Sequence, residues 1–237
     1  MDYSLILREF SERFYTPPIL AISELIAIII GIKYCWKDNI AKFFIAFICF
    51  DFVILISDWA LLSIIEISQE FKNNFVNYTN TLISIFEIAV YYYFFSIAIK
   101  NKIPRIIFLL PVIAYSLIAS ISTFSNLPLF NLGKTHTYNL IYSLELALLI
   151  PPIIIFLFQI INTNQETSLL SRPSFWIAVG IFFQSIISIP CYLLIAYFLR
   201  QKTGFLPFIE ASLYYTPLIT NTLFITKAFQ CKKTLTI

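Results

Sequence analysis

Charge is scarce in this chain, and positive charge is missing where it would be most needed. Only 12% of the 237 residues are charged, against roughly a quarter in a soluble domain, so most of the surface is expected to meet lipid. Histidine occurs once, at His136, which excludes metal sites built on two or three imidazoles, zinc-dependent membrane hydrolases included. The four cysteines, Cys35, Cys49, Cys191 and Cys231, have no metal-ligand spacing, and no disulfide framework is expected from them. With four glycines there is no glycine-rich phosphate loop and no Gly-x-Ser-x-Gly elbow. Neither a nucleophile–base pair nor a metal set is visible, so the expectation is no enzyme and no cofactor. The net charge of +3 comes from bases in short loops, a pattern that suits orientation in a bilayer and not nucleic-acid binding.

What the chain has in abundance is long apolar runs. Hydrophobic residues make up 59% of it, and a bilayer core of about 30 Å needs about 20 of them in a helix. Such runs cover residues 17–36, 40–65, 78–99, 103–123, 138–161, 174–199 and 206–229. Lys, Arg, Asn, Gly or Pro marks the breaks between them. The fold class expected is therefore all-α, a polytopic membrane protein with seven transmembrane helices forming one domain over residues 17–231. A short tail, 232–237, follows. Residues 1–16 do not read as a signal peptide: Tyr3, Leu7, Phe10 and Phe14 recur at helical spacing opposite Asp2, Arg8, Glu9, Glu12 and Arg13, the pattern of an amphipathic helix lying on the membrane surface.

Orientation follows from the bases. Arg8, Arg13, Lys72, Lys134, Arg200 and Lys202 fall on the side of the N-terminus. Lys33, Lys37, Lys42, Lys100, Lys102, Arg105, Arg172, Lys227, Lys232 and Lys233 fall on the other. The richer side should face the cytoplasm, which puts the C-terminus inside and the N-terminus outside.

The acids stand out against this background. Of 13 acidic residues, Glu24, Asp51, Asp58, Glu87, Glu145 and Glu210 lie inside spans, and none of the 16 bases lies at mid-depth beside them. An ionised carboxylate in hydrocarbon costs at least about 2.5–3.5 kcal/mol. These groups must therefore face the bundle interior, face water, or carry a proton. At about 1.5 Å per residue, Glu24, Glu87, Glu145 and Glu210 sit roughly 6 to 14 Å below the outer boundary. Asp58 reaches a similar depth, and Asp51 lies near the midplane. Five acids are thus expected to line an outward-facing polar cavity. Trp59, Tyr91, Tyr142 and Tyr214 accompany them, and carboxylates with ring faces can cage an organic cation. Asp51, Gln184 and Asn221 could continue a polar route inward. Acids in first helical turns are also favoured by the helix dipole, and a protonated Glu can simply tie helices together. Pro111, Pro151, Pro152, Pro190 and Pro217 interrupt four consecutive helices and can kink them.

Several stretches carry a resemblance. The third run reads Ile83-Ser84-Ile85-Phe86-Glu87-Ile88-Ala89-Val90-Tyr91-Tyr92-Tyr93-Phe94-Phe95. The fifth begins Thr137-Tyr138 and carries Glu145. The sixth opens Arg172-Pro173-Ser174-Phe175-Trp176-Ile177, and the last ends Ala228-Phe229-Gln230-Cys231. Together these resemble a group of small seven-helix membrane proteins of Bacteroidota bacteria and, more loosely, the seven-helix sensor modules of bacterial histidine kinases. The resemblance implies the fold and a bacterial inner (cytoplasmic) membrane. Few residues follow the last run, so no kinase or other output domain is expected. The leading functional expectation is a receptor-like or sensor-like subunit that binds a small cationic ligand from outside and acts through a membrane or cytoplasmic partner protein. A small-molecule or ion/proton transporter is the alternative, and a structural or assembly subunit the third reading.

Overall fold

The computed structural model describes residues 17–63, 69–99, 106–124, 134–162, 169–201 and 207–231. The segment 1–16, expected to be amphipathic, and the tail 232–237 lie outside these residues. Seven α-helices are present and no strand occurs among the described residues: α1 (Pro17–Cys35), α2 (Asn39–Ser63), α3 (Gln69–Ala98), α4 (Ile106–Phe124), α5 (Lys134–Asn162), α6 (Pro173–Gln201) and α7 (Pro207–Gln230). Five of them, α1, α2, α3, α5 and α6, contain windows long and apolar enough to cross a membrane; α4 is apolar but shorter. The molecule is thus a helical multi-pass membrane protein. Helices are the solution the sequence must take, because hydrocarbon offers no partner to a backbone N–H or C=O and an α-helix satisfies both internally.

Two helices start earlier than hydropathy suggests. α3 begins at Gln69, nine residues before the apolar run at 78, and α5 at Lys134, four before 138. The extensions are polar, with Asn73, Asn74 and Asn77 in α3. A helix keeps its backbone bonds in water as in lipid, so it can run on past the point where the apolar pattern ends. Other boundaries have local causes. Asp38 Oδ1 accepts from the backbone N–H of Ile40 at 2.8 Å and of Ala41 at 3.1 Å, capping α2 after a tight turn from α1. Proline opens α1, α6 and α7, where its missing N–H is no loss.

α1 packs on α2 and α7, α2 on α3, α3 on α5, α5 on α6 and α6 on α7, which closes a ring; α4 lies against α3 and α5. α3 is the most enclosed: 56% of its apolar window is buried, against 33% for α1 and for α2. Its last turns carry an aromatic plug. Phe94 meets Phe44 of α2 edge-on at 5.6 Å and Phe156 of α5 at 5.8 Å, and Phe95 meets Phe156 at 5.8 Å; all four rings are fully buried. On the outside, Ile19, Ile29, Leu110, Ile113, Phe158 and Ile161 are among many exposed apolar side chains, as a lipid-facing surface requires. The four cysteines are free.

α6 and α7 pack tightly at Gly180. A Cβ built there would stand 2.7 Å from Asn221 Oδ1 and 2.7 Å from Phe224 Cβ. Only a residue without a side chain permits this approach, the usual role of small residues between membrane helices.

Candidate functional site

Four polar side chains above the aromatic plug form a closed ring. Glu87 and Tyr91 come from α3, one turn apart on one face. Gln184 of α6 donates from Nε2 to Glu87 Oε1 at 3.0 Å. Asn221 of α7 donates from Nδ2 to Gln184 Oε1 at 2.5 Å and to Tyr91 Oη at 2.6 Å. Tyr91, having accepted from Asn221, has its own hydrogen to give to Glu87, with which it also interacts. All four side chains are buried. Phe44 and Phe47 of α2 hold the Tyr91 ring in place, with centroids at 6.1 and 6.0 Å. The Gly180 gap is what lets Asn221 reach this position.

Beside the ring lies a small cavity of about 20 Å³, lined by Glu24, Phe47, Ile48, Asp51, Glu87, Tyr91, Leu218, Asn221, Thr222 and Ile225. The carboxyls of Glu24 (α1) and Asp51 (α2) meet across it and interact as a hydrogen-bonded pair, and Asp51 is also within electrostatic reach of Glu87. Two ionised carboxylates can only accept hydrogen bonds and cannot bond each other. Glu24 is 1% exposed, and its Oε2 has no hydrogen-bond partner. None of the groups bonded to these acids is basic.

A second cluster lies one turn further along the same polar stripe of α3. Ser84 donates to Glu145 Oε2 and also bonds Tyr115 Oη. Tyr115 donates to Glu145 Oε2 at 3.3 Å. Thr81 and Thr123 bond at 2.9 Å nearby. Glu145 Oε1 is buried without a partner, and Glu145 is within electrostatic reach of Glu87.

The expected site residues therefore fall in several places. Glu24, Glu87 and Tyr91 line the cavity, together with Asp51 and Asn221; Gln184 joins through the ring. Glu145 is enclosed in the serine–tyrosine cluster. Asp58 is half-buried and accepts from Thr79 Oγ1 of α3 at 3.2 and 3.3 Å. Tyr142 packs on Tyr192 of α6 at 5.9 Å. The side chains of Trp59, Glu210 and Tyr214 lie outside the described residues. Ser84, Tyr115 and Thr222 were not singled out from the sequence. A signal existed: Thr81, Ser84, Glu87 and Tyr91 recur at intervals of three, three and four residues, one polar stripe on an otherwise apolar helix. Among the described residues no group of three or more His, Cys, Asp or Glu could hold a metal ion.

Fold and site together define a multi-pass helical membrane protein with a carboxyl–amide–tyrosine network at its centre. The chain matches no protein family, no curated protein and no solved structure.

Proposed function

We propose that the chain is a proton-handling transport protein of the ion/proton-conducting or proton-coupled kind, and that Glu24, Asp51 and Glu87 take up and pass on the proton. One observation carries this reading: three carboxyls from three helices gather around a hole of single-water size, joined to an amide–tyrosine ring, and among the described residues none of their partners is a base. Two ionised carboxylates about 4 Å apart repel by about 4 kcal/mol at an effective dielectric of about 20, so the cluster calls for a positive charge from elsewhere. A mobile proton supplies it and leaves the fold unaltered. The cavity has room for about one water, which suits a proton carrier better than an organic cation. Glu145 and Asp58, bonded to hydroxyls of neighbouring helices, act as ties between helices.

In this reading all seven helices span a bacterial inner membrane, with the N-terminus outside and the C-terminus in the cytoplasm. Cysteines placed at Lys134 and Lys202 should then react with an impermeant reagent on intact cells, and those at Lys37, Lys102 and Lys233 only after permeabilisation. The functional test is proton flux into liposomes carrying the purified protein, driven by a potassium diffusion potential. The protein should acidify the lumen; a rate equal to that of empty liposomes would overturn the reading.

A further inference from the structure

We infer that the cavity beside Asp51 holds one ordered water, and that this water is the link carrying the proton between the Glu24–Asp51 pair and the Glu87 ring. The inference rests on the proton-transfer reading and gives it a route. A polar cavity needs about 10–15 Å³ to admit a water, which must find two to four polar partners there. This one has about 20 Å³, room for one. Its polar lining is supplied by Glu24, Asp51, Glu87, Tyr91, Asn221 and Thr222. Independently of the clustering of acids, Glu24 Oε2 is enclosed and has no partner in the protein. A buried carboxyl oxygen left unpaired is costly, and a water on the cavity side removes that cost. Thr222 turns its own hydrogen to the Leu218 carbonyl at 3.0 Å, so its oxygen can accept from the same water.

The step balances without any redox partner. The O–H bond of protonated Glu24 breaks as its proton joins the water oxygen. One of the water's own O–H bonds then breaks as that proton joins a carboxylate oxygen of Glu87. Water is regenerated, Glu24 is left ionised and Glu87 protonated. From there the Glu87 bonds with Gln184 and Tyr91 must readjust, which couples proton arrival to α6 and α7.

Filling the hole while keeping every carboxyl tests this. Leu218→Phe adds about one water's volume to the lining, and Ile225→Phe serves if the first variant fails to fold. Infrared difference spectra of the wild type between acid and alkaline buffer should contain a water O–H band that shifts on exchange into H2¹⁸O. In the filled variant that band should vanish and proton flux should fall at least about tenfold, equivalent to about 1.4 kcal/mol on the barrier. Leu218→Ala, which enlarges the hole, should keep both. A filled variant that conducts like wild type, while Glu87→Gln does not, overturns the water link and leaves the transport reading standing. A wild type that shows the band and carries no flux does the opposite: the water site stands and the transport reading falls.

Discussion

Glu87 and Glu145 are both enclosed, stand on helices that pack together, and lie within electrostatic reach of one another, yet they are held in different ways. Glu87 accepts from an amide and interacts with a tyrosine, and it opens on a cavity shared with two other carboxyls. Glu145 accepts from the hydroxyls of Ser84 and Tyr115 on one oxygen, and its other oxygen is buried without a partner. The difference teaches that a buried acid in a membrane helix is not by itself a functional group. In the proposed reading Glu87, which lines a cavity with two other carboxyls, is the relay, and Glu145, held by two hydroxyls, is the tie.

The comparison can be broken by substitution, and the largest effect is expected at Glu87. Glu87→Gln keeps the size of the side chain and most of its hydrogen bonding and removes the exchangeable proton. Flux should fall by at least about a hundredfold, within the usual contribution of a positioned acid–base group, while the purified protein melts near the wild-type temperature. At Glu145 the order of harm reverses. Glu145→Ala removes the acceptor shared by Ser84 and Tyr115 and leaves a buried void, and should cost about 2–3 kcal/mol of stability, read as a lowered thermal midpoint in detergent. Glu145→Gln should restore most of that loss and conduct within about twofold of wild type, because an amide also bonds across helices. Equal loss of flux in Glu87→Gln and Glu145→Gln would erase the distinction and make one continuous relay of the two clusters.

Smaller effects sharpen the picture at its edges. Gly180→Ala puts a methyl group where Asn221 Oδ1 and Phe224 Cβ already stand at 2.7 Å. Overpacking of this kind costs about 1–3 kcal/mol, and here it should slow flux as well, since the ring depends on Asn221. Gly31 makes a useful control: a Cβ there meets Ile45 Cγ1 at 2.8 Å and Phe229 Cε2 at 3.0 Å, both in buried side chains, so Gly31→Ala should cost a similar amount of stability while leaving Asn221 and its bonds in place. Asp58→Asn should do least, within about 0.5 kcal/mol in stability and with flux unchanged, because the amide can still bond Thr79.

Much of the fold was legible because lipid imposes a simple grammar: each apolar run of bilayer length is matched by a helix, and most ends fall within a few residues of a Pro, Lys or Asn. The exceptions at Gln69 and Lys134 were illegible because hydropathy reports where a helix leaves the membrane and not where it stops. The polar residues of the site were legible as types, since Glu, Asp, Gln and Asn are conspicuous in apolar helices. Their partners were not. Depth along an axis can be counted from sequence, but the rotation of a helix about that axis depends on packing. Asp58 and Asp51 share a helix face, yet one meets Thr79 and the other the cavity. Asp51 was expected near the midplane, on a polar route inward with Gln184 and Asn221; it lines the cavity with Glu24 and Glu87. Hydroxyl partners such as Ser84 and Tyr115 were hidden because Ser and Tyr are ordinary in membrane helices.

The aromatic plug of Phe44, Phe94, Phe95 and Phe156 has a consequence for the speed of the protein. Four rings locked edge to face and buried from all sides do not turn one at a time, and a file of water cannot thread between them. Passage beyond the network therefore waits on a concerted shift of α2, α3 and α5, a motion of the microsecond-to-millisecond class. Under the proposed transport reading, protons would then pass one at a time, and the rate should climb steeply with temperature where an open pore's would barely change.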